Sequence, residues 1–124
     1  MSAQDPITFT LFVRLFRDGK CFGPGIAELL TRVDRTRSLR SAAMEMNLAY
    51  SKAWRIMKES EQALGFALLN SQTGGVHGGG AVLTEEARAM LEGYEGFVAE
   101  LNAFADEAFE RRFGIGGSLF LKEK

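Results

Sequence analysis

The stretch from Ser38 to Leu64, SLRSAAMEMNLAYSKAWRIMKESEQAL, predicts a helix, a sharp turn and a second helix. Ser38 is a favoured N-cap residue, and apolar side chains follow it at helical spacing, at Leu39, Ala42, Ala43 and Met46. Asn47 stands where the chain must turn, and asparagine tolerates the left-handed backbone conformation that such turns often require. The helical pattern resumes at Tyr50.

The second predicted helix has two chemically different faces. Its apolar half is predicted to carry Tyr50, Ala53, Trp54, Met57 and Leu64. The other half carries hydrogen-bond donors and cations, at Ser51, Lys52, Arg55, Lys58 and Gln62. Such groups can contact phosphates and base edges from a helix in a DNA major groove. The pattern therefore favours DNA recognition, although a helical hairpin with a solvated charged face has the same pattern.

The charge of the chain is unevenly distributed. The 124 residues carry a formal net charge of -1, but the net charge is +4 over residues 1–60 and -5 over residues 61–124. A basic first half favours contact with phosphates, and an acidic second half is expected to point away from them.

Composition excludes several classes of protein. The chain is long enough for one domain with a core, and its single Cys21 cannot form an internal disulfide. One cysteine and the single His77 are too few for a structural zinc site, and no catalytic arrangement is apparent. No apolar run is long enough to cross a bilayer. We therefore expect a cytoplasmic protein that is not an enzyme and uses no metal or other cofactor.

The N-terminal region predicts a β-hairpin. Apolar and other residues alternate from Ile7 to Phe16, which indicates a strand, and Asp18-Gly19 is a strong signal for a tight turn. Lys20–Phe22 would return antiparallel. Phe12 and Phe16 make the second face of the strand partly apolar, so a helix or a partner subunit is expected to cover it.

A helix is predicted next, from Pro24 to about Thr36, with arginines around its end. Arg32 and Arg35 are interpreted as residues that stabilise the C-terminal end of this helix. Arg37 and Arg40 are better placed to contact a DNA backbone.

A glycine-rich hairpin follows the central stretch. Phe66–Ser71 and Ala81–Leu83 are predicted strands, and the loop TGGVHGGG at residues 73–80 joins them. Its glycines allow close approach to a phosphate, which is typical of a DNA-contacting wing. The contacts are assigned to Thr73, Gly74, Gly75, His77 and Gly78, although His77 is most simply a solvated loop residue. A nucleotide-binding loop is disfavoured, because the P-loop lysine and hydroxyl are absent and a strand follows.

The long helix predicted from Thr84 to Arg111 or Arg112 carries an apolar face wider than one small domain ordinarily buries. That width favours dimerisation, and packing on the N-terminal sheet is a second use that we expect alongside it. The predicted dimer interface comprises Phe12, Phe16, Leu91, Tyr94, Phe97, Val98, Leu101 and Phe104. The tail over residues 114–124 is predicted to be flexible or a short edge strand.

Three motifs together resemble the N-terminal domain of molybdate-responsive, ModE-type transcriptional regulators. They are GPGIAELL at Gly23–Leu30, SLRSAAMEMNLAYSKAW at Ser38–Trp54 and TGGVHGGGAVLTEEAR at Thr73–Arg88. The resemblance covers nearly everything from Ile7 to Phe109. It implies a homodimeric winged helix-turn-helix of mainly α, α+β class, akin to LysR-type DNA-binding domains, with an N-terminal β-hairpin and a long C-terminal dimerisation helix.

By this resemblance, residues 1–113 form the DNA-binding domain, and the recognition helix carries Tyr50, Ser51, Lys52 and Arg55, with Lys58 one turn later. Arg37, Ser38 and Arg40 complete the DNA-binding set. Family members carry molybdate-binding domains after this region, and the chain stops where those would begin, so we expect no molybdate sensing. Ala49 stands where the family commonly has a capping serine. The alternative is a winged-helix protein-interaction module without specific DNA binding, which the acidic pI of about 5.9 favours.

Overall fold

The computed structural model describes residues 5–72 and 80–115, and these contain four helices and four short strands. In chain order they are β1 (Leu15–Phe16), β2 (Lys20–Phe22), α1 (Pro24–Thr36), α2 (Leu39–Glu45), α3 (Tyr50–Leu64), β3 (Leu69–Gln72), β4 (Gly80–Leu83) and α4 (Glu85–Phe113). The expected α+β winged-helix class is confirmed. The chain divides into two compact units: the helix-turn-helix unit is Phe12–Tyr94, and the terminal unit joins the segment up to Leu11 with the chain from Glu95 onward.

The N-terminal hairpin is shorter than predicted. β1 and β2 pair antiparallel, and Asp18 and Gly19 both have positive φ angles, of 51° and 117°, as the turn prediction requires. The strand predicted from Ile7 is wrong over residues 7–14, which lie outside any strand. The reason is the position of the next helix. Leu15 already pairs with Phe22, and α1 begins at Pro24, so no return strand remains for earlier residues.

Helix α1 supplies the centre of the core in the helix-turn-helix unit. Its buried side chains are Ile26, Ala27, Leu29, Leu30 and Val33, and Phe22, Met57 and Leu68 are also fully or almost fully buried. α1 ends at Arg37, which adopts the left-handed conformation with φ 60° and donates its backbone N–H to Val33 O at 2.7 Å.

The connection from α1 through α2 to α3 follows the predicted signals. Ser38 Oγ accepts a hydrogen bond from Ser41 N at 3.0 Å, which caps α2. Asn47 has a φ of 57°, which is the left-handed conformation expected for the turn. The small side chains of Ala42, Ala43 and Ala53 are fully buried, which allows α2 and α3 to cross closely. Ala49 occupies the N-cap position of α3, and its methyl side chain cannot accept a capping hydrogen bond.

The second hairpin is fastened to the end of α3 and the start of α4. β3 and β4 pair antiparallel from Leu69 with Leu83 to Gln72 with Gly80. Glu61 Oε2 accepts hydrogen bonds from Leu68 N at 2.7 Å and Leu69 N at 3.4 Å. Thr84 Oγ1 accepts from Ala87 N at 3.0 Å, which caps α4 as predicted. The same hydroxyl donates to Ala67 O at 2.8 Å.

Tyr94 belongs to the core of the helix-turn-helix unit, and its assignment to a dimer interface stays a prediction. Its side chain is buried, its ring lies 5.1 Å from that of Phe22, and its hydroxyl donates to Val13 O at 2.6 Å. A residue already buried within its own chain has little surface to offer a partner. Desolvation raises the pKa of Tyr94, and the nearby positive charge of Arg14 acts in the opposite direction.

The terminal unit contains the second part of α4 and the extended segment before Leu11. Its described contacts include a ring pair between Phe9 and Phe109, 5.1 Å apart, and a second pair between Phe109 and Phe113, 5.0 Å apart. Asn102 Nδ2 donates to Val98 O at 3.0 Å along the helix. Within the described ranges, no helix is long and apolar enough to cross a membrane.

Candidate nucleic-acid interface

Helix α3 presents its cations and hydrogen-bond donors to solvent. Ala53, Met57, Ser60 and Leu64 form its buried face, at i, i+4, i+7 and i+11. The exposed residues include the polar side chains that the sequence placed opposite the core, namely Ser51, Lys52, Arg55, Lys58 and Gln62.

Two aromatic residues of α3 depart from the sequence prediction. Trp54 is 49% exposed and Tyr50 is 40% exposed, although both were predicted on the apolar half of the helix. The buried face is centred on Ala53 and Ser60, which places Tyr50 and Trp54 at its edge. Ser60 can occupy a buried position because its hydroxyl donates to Cys21 O at 2.5 Å. Periodicity alone cannot show that a serine is buried and a tryptophan is exposed.

Each of these aromatic rings lies close to a cation. The guanidinium of Arg40 lies 4.3 Å from the centroid of the Tyr50 ring, which brings the first turns of α2 and α3 together. Lys58 Nζ lies 5.6 Å from the Trp54 centroid and 3.2 Å from Glu61 Oε1. Both distances are in the range of cation–π attraction. Trp54 was not among the predicted contact residues, and only its flanking basic residues Arg55 and Lys58 could have indicated it.

The arginines of α1 hold the scaffold together. Arg32 lies 2.7 Å from Glu28 and 2.9 Å from Glu45, and Arg35 also pairs with Glu45. The hydrogen bonds from Arg35 and Arg32 hold the pKa of Glu45 below its ordinary value, and those to Glu28 and Glu45 raise the pKa of Arg32. Arg32 and Arg35 therefore join α1 to α2, rather than only stabilising the end of α1.

Two further arginines are also engaged within the helix-turn-helix unit. Arg88 of α4 pairs with Asp34 of α1 at 2.8 Å, and Arg17 donates to Leu64 O at 2.8 Å. By contrast, Arg37, Lys52 and Arg55 form no ion pair with any residue that the structure describes. The basic residues thus form two groups: those that are engaged with other residues of the fold, and those whose charge is available to a bound partner.

The remaining predicted contact residues have different positions. Ser38 is half-buried, and its hydroxyl oxygen is already the acceptor of the α2 cap. Arg37 is exposed at the turn between α1 and α2, and its carbonyl accepts from Ala81 N of β4 at 3.0 Å. The predicted wing contacts Thr73, Gly74, Gly75, His77 and Gly78 lie outside the described residues.

The residues predicted at a dimer interface lie in both units. In the helix-turn-helix unit, Phe12 and Phe16 are 66% and 68% exposed and Leu91 is half-buried, whereas Tyr94 is buried. In the terminal unit, Phe97 and Phe104 are 48% and 66% exposed, and Val98 and Leu101 are half-buried. Phe97, Leu101 and Phe104 follow i, i+4, i+7 spacing and therefore share one side of α4.

Comparison with known proteins agrees with this geometry. Over 82 residues the chain is 35% identical to the molybdenum-pterin-binding protein MopB of Rhodobacter capsulatus, which covers 66% of this chain and 30% of MopB. Over 95 residues it is 30% identical to the DNA-binding transcriptional dual regulator ModE of Escherichia coli strain K12, which covers 77% of this chain and 34% of ModE. The chain thus spans about a third of these relatives, and the predicted resemblance to ModE-type regulators is confirmed.

Residues 27–88 match the family described as bacterial regulatory helix-turn-helix protein, lysR family. The matched region begins in α1, contains α2, α3 and the second hairpin, and ends in the first turn of α4. It therefore contains α3 with its exposed cations and α2, the helix before it. The chain belongs to the lysR family of bacterial regulatory helix-turn-helix proteins.

Proposed function

We propose that this chain binds duplex DNA sequence-specifically and regulates transcription, with α3 in the major groove. The observation that carries the proposal is the exposed basic surface that Lys52 and Arg55 form on α3, where neither side chain has an ion pair among the described residues. Arginine and lysine at the exposed face of such a helix can form bidentate contacts with guanine or neutralise phosphates. Ser51, which precedes Lys52, and the basic Lys58 add hydrogen-bond donors to the exposed surface of α3.

The neighbouring elements supply contacts to the DNA backbone. Arg40 is held near the start of α3 by the Tyr50 ring, and Arg37 is exposed one turn before it. Arg37 lies just before α2 and Arg40 lies in its first turn, and the first helix of a helix-turn-helix usually crosses the DNA backbone. Thr73, Gly74, Gly75, His77 and Gly78 of the glycine-rich segment are proposed as the wing contacts.

The active species is proposed to be a homodimer. Phe97, Leu101 and Phe104 form an apolar side of α4 in the terminal unit, and two of the three side chains are about half exposed or more. Exposed aromatic residues at heptad spacing favour helix pairing. A two-fold dimer would place its recognition helices on half-sites about 34 to 36 Å apart or a multiple of that distance.

The similarity to ModE supports this proposal. The name of ModE describes a DNA-binding transcriptional dual regulator, and we transfer DNA binding and regulation to this chain on the strength of the matched helix-turn-helix. The α3 cations are the residues through which we expect that activity to operate.

The test is a double substitution, Lys52→Ala with Arg55→Ala, measured by titration of a selected DNA site. We expect affinity to fall at least about tenfold, because each lost base contact costs roughly 1–3 kcal/mol. The slope of log affinity against log salt should become shallower by about two, since two phosphate-directed or base-directed cations are removed. Equal affinity and equal slope in the two proteins would contradict the assignment of α3.

Arg35→Ala is the matched control. Arg35 is an exposed arginine whose partner is Glu45, so its removal also deletes one positive charge from the same unit. We expect its DNA affinity to stay close to that of the wild type. A loss equal to that of the double variant would show that net charge, and not the α3 surface, determines binding.

A further inference from the structure

Tyr50 and Trp54 form an aromatic strip on α3 that the folding of the chain does not require. The two residues are one helical turn apart and are 40% and 49% exposed. The core buries Phe22, Leu29, Leu30, Met57 and Leu68 almost completely. The other exposed large apolar side chains described in this unit, Phe12, Phe16 and Met44, lie outside α3. The half-exposed tryptophan on this helix, which is proposed to enter DNA, is therefore a candidate contact for a bound partner.

The positively charged side chains beside the strip indicate that the bound partner is a polyanion. Arg40 lies over the Tyr50 ring and Lys58 lies near the Trp54 ring, at 4.3 Å and 5.6 Å from the centroids. Arg55 follows Trp54 in the helix and forms no ion pair among the described residues, whereas Lys58 Nζ lies 3.2 Å from Glu61 Oε1. An apolar strip with Arg40 and Lys58 beside its rings, and Arg55 next to Trp54 in the helix, complements a nucleic acid better than it complements an apolar protein surface.

Duplex DNA offers one apolar group in its major groove, the C5-methyl of thymine. Apolar side chains on a recognition helix discriminate thymine from cytosine by contact with this methyl group. The side of α3 that carries Trp54 also carries Glu61, seven residues later, which holds the start of β3 by hydrogen bonds to Leu68 N and Leu69 N. The strip is thus bounded by α2 at one end and by β3 at the other.

We propose that Trp54, supported by Tyr50, determines specificity by packing against thymine methyl groups in the major groove. This inference rests on the proposed function, because it requires α3 to lie in the groove. Lys58 and Arg40 act as positioning residues: they sit beside the rings and supply charge for the adjacent phosphates. Arg55 and Lys52 make the polar contacts, and Trp54 adds the apolar one.

The experiment replaces thymine by deoxyuridine in a selected duplex site, one position at a time, which removes only the methyl group. Affinity is measured for the wild type, for Trp54→Ala and for Arg55→Ala, and thermal unfolding confirms that each variant is folded. For the wild type, at least one replacement per half-site should weaken binding by about fourfold, the factor that corresponds to one buried methyl-sized group. Trp54→Ala should lose this sensitivity, whereas Arg55→Ala, although weaker, should retain it.

The outcomes separate this inference from the proposed function. Specific binding by the wild type without any deoxyuridine effect would overturn the thymine contact and leave DNA recognition standing. Equal sensitivity to deoxyuridine in the wild type and Trp54→Ala would assign the methyl contact to another residue. A larger loss on single-stranded than on duplex DNA for Trp54→Ala would overturn it in favour of base stacking. Absence of specific binding by the wild type would overturn both proposals.

Discussion

At the residue scale, Arg37 combines an unfavourable backbone conformation with a charge that the fold does not use. Its φ of 60° is a conformation that glycine adopts without the steric cost that other residues incur, and it ends α1. Its side chain is exposed and forms no ion pair with the described residues. We propose that the exposed side chain of Arg37 contacts DNA, and backbone strain is commonly found at functional sites.

Arg37→Gly should therefore separate stability from binding. We expect the free energy of unfolding to rise by about 0.5–1 kcal/mol, because the relief of left-handed strain exceeds the entropic cost of glycine. DNA affinity should fall, and the salt slope should become shallower by about one. Urea denaturation and a salt titration measure the two effects. Asn47→Gly, at a φ of 57°, is the control, since it removes no charge and should leave the salt slope unchanged.

At the element scale, Glu45 joins α2 to α1 through Arg32 and Arg35, and its contribution should depend on pH. The pKa of Glu45 lies below its ordinary value in the folded chain, because Arg35 and then Arg32 hydrogen-bond to the carboxylate. The unfolded chain therefore takes up the proton first as the pH falls. The stabilisation is fully present above the ordinary glutamate pKa of about 4.3 and is lost as the pH falls through the lower folded value.

Glu45→Gln should consequently unfold more easily than the wild type at pH 7, and the difference should disappear toward pH 3. The effect is expected to be small and to shrink in high salt, because the pair is partly exposed to solvent. Urea denaturation across this pH range measures it. Glu59→Gln provides the comparison, since Glu59 is an exposed glutamate of α3 without an ion pair among the described residues. A difference between the wild type and Glu45→Gln that persists unchanged at pH 3 would contradict the assigned cause.

Local signals in the sequence predicted the elements well. Ser38, Asn47 and Thr84 each act through the backbone of neighbouring residues, and the structure shows each in the expected role. Features that depend on distant residues were not predictable in the same way. The strand expected from Ile7 is absent because α1 begins at Pro24, and the bond from Ser60 to Cys21 O joins residues 39 apart.

In the candidate site, too, features set by local sequence could be predicted and features set by distant residues could not. Exposure of Lys52 and Arg55 follows from helical spacing, and the structure agrees with it. Exposure of Trp54 does not, because the edge of the buried face depends on how α1 and α2 pack against α3. The engagement of Arg32 and Arg35 by Glu45 depends on the crossing of two helices, so sequence could identify the arginine cluster but not its partner.

At the scale of the whole molecule, the charge asymmetry of the sequence corresponds to a division of tasks. The basic residues of residues 1–60 include Arg37, Lys52 and Arg55, which form no ion pair with the part of the chain that the structure describes, whereas the acidic second half contains the whole of α4. Two copies joined through α4 would present two such surfaces, which is what a two-fold-related site requires.

The most direct test of DNA recognition by α3 is selection of bound sites from a random duplex pool, with the mass of the protein measured in solution. We predict an enriched inverted repeat, bound by a dimer, with half-site centres separated by about one helical turn of DNA or a multiple of it. The double variant Lys52→Ala with Arg55→Ala should enrich no such site. Failure of the wild-type protein to enrich any sequence at low salt, or identical enrichment by the double variant, would contradict the account.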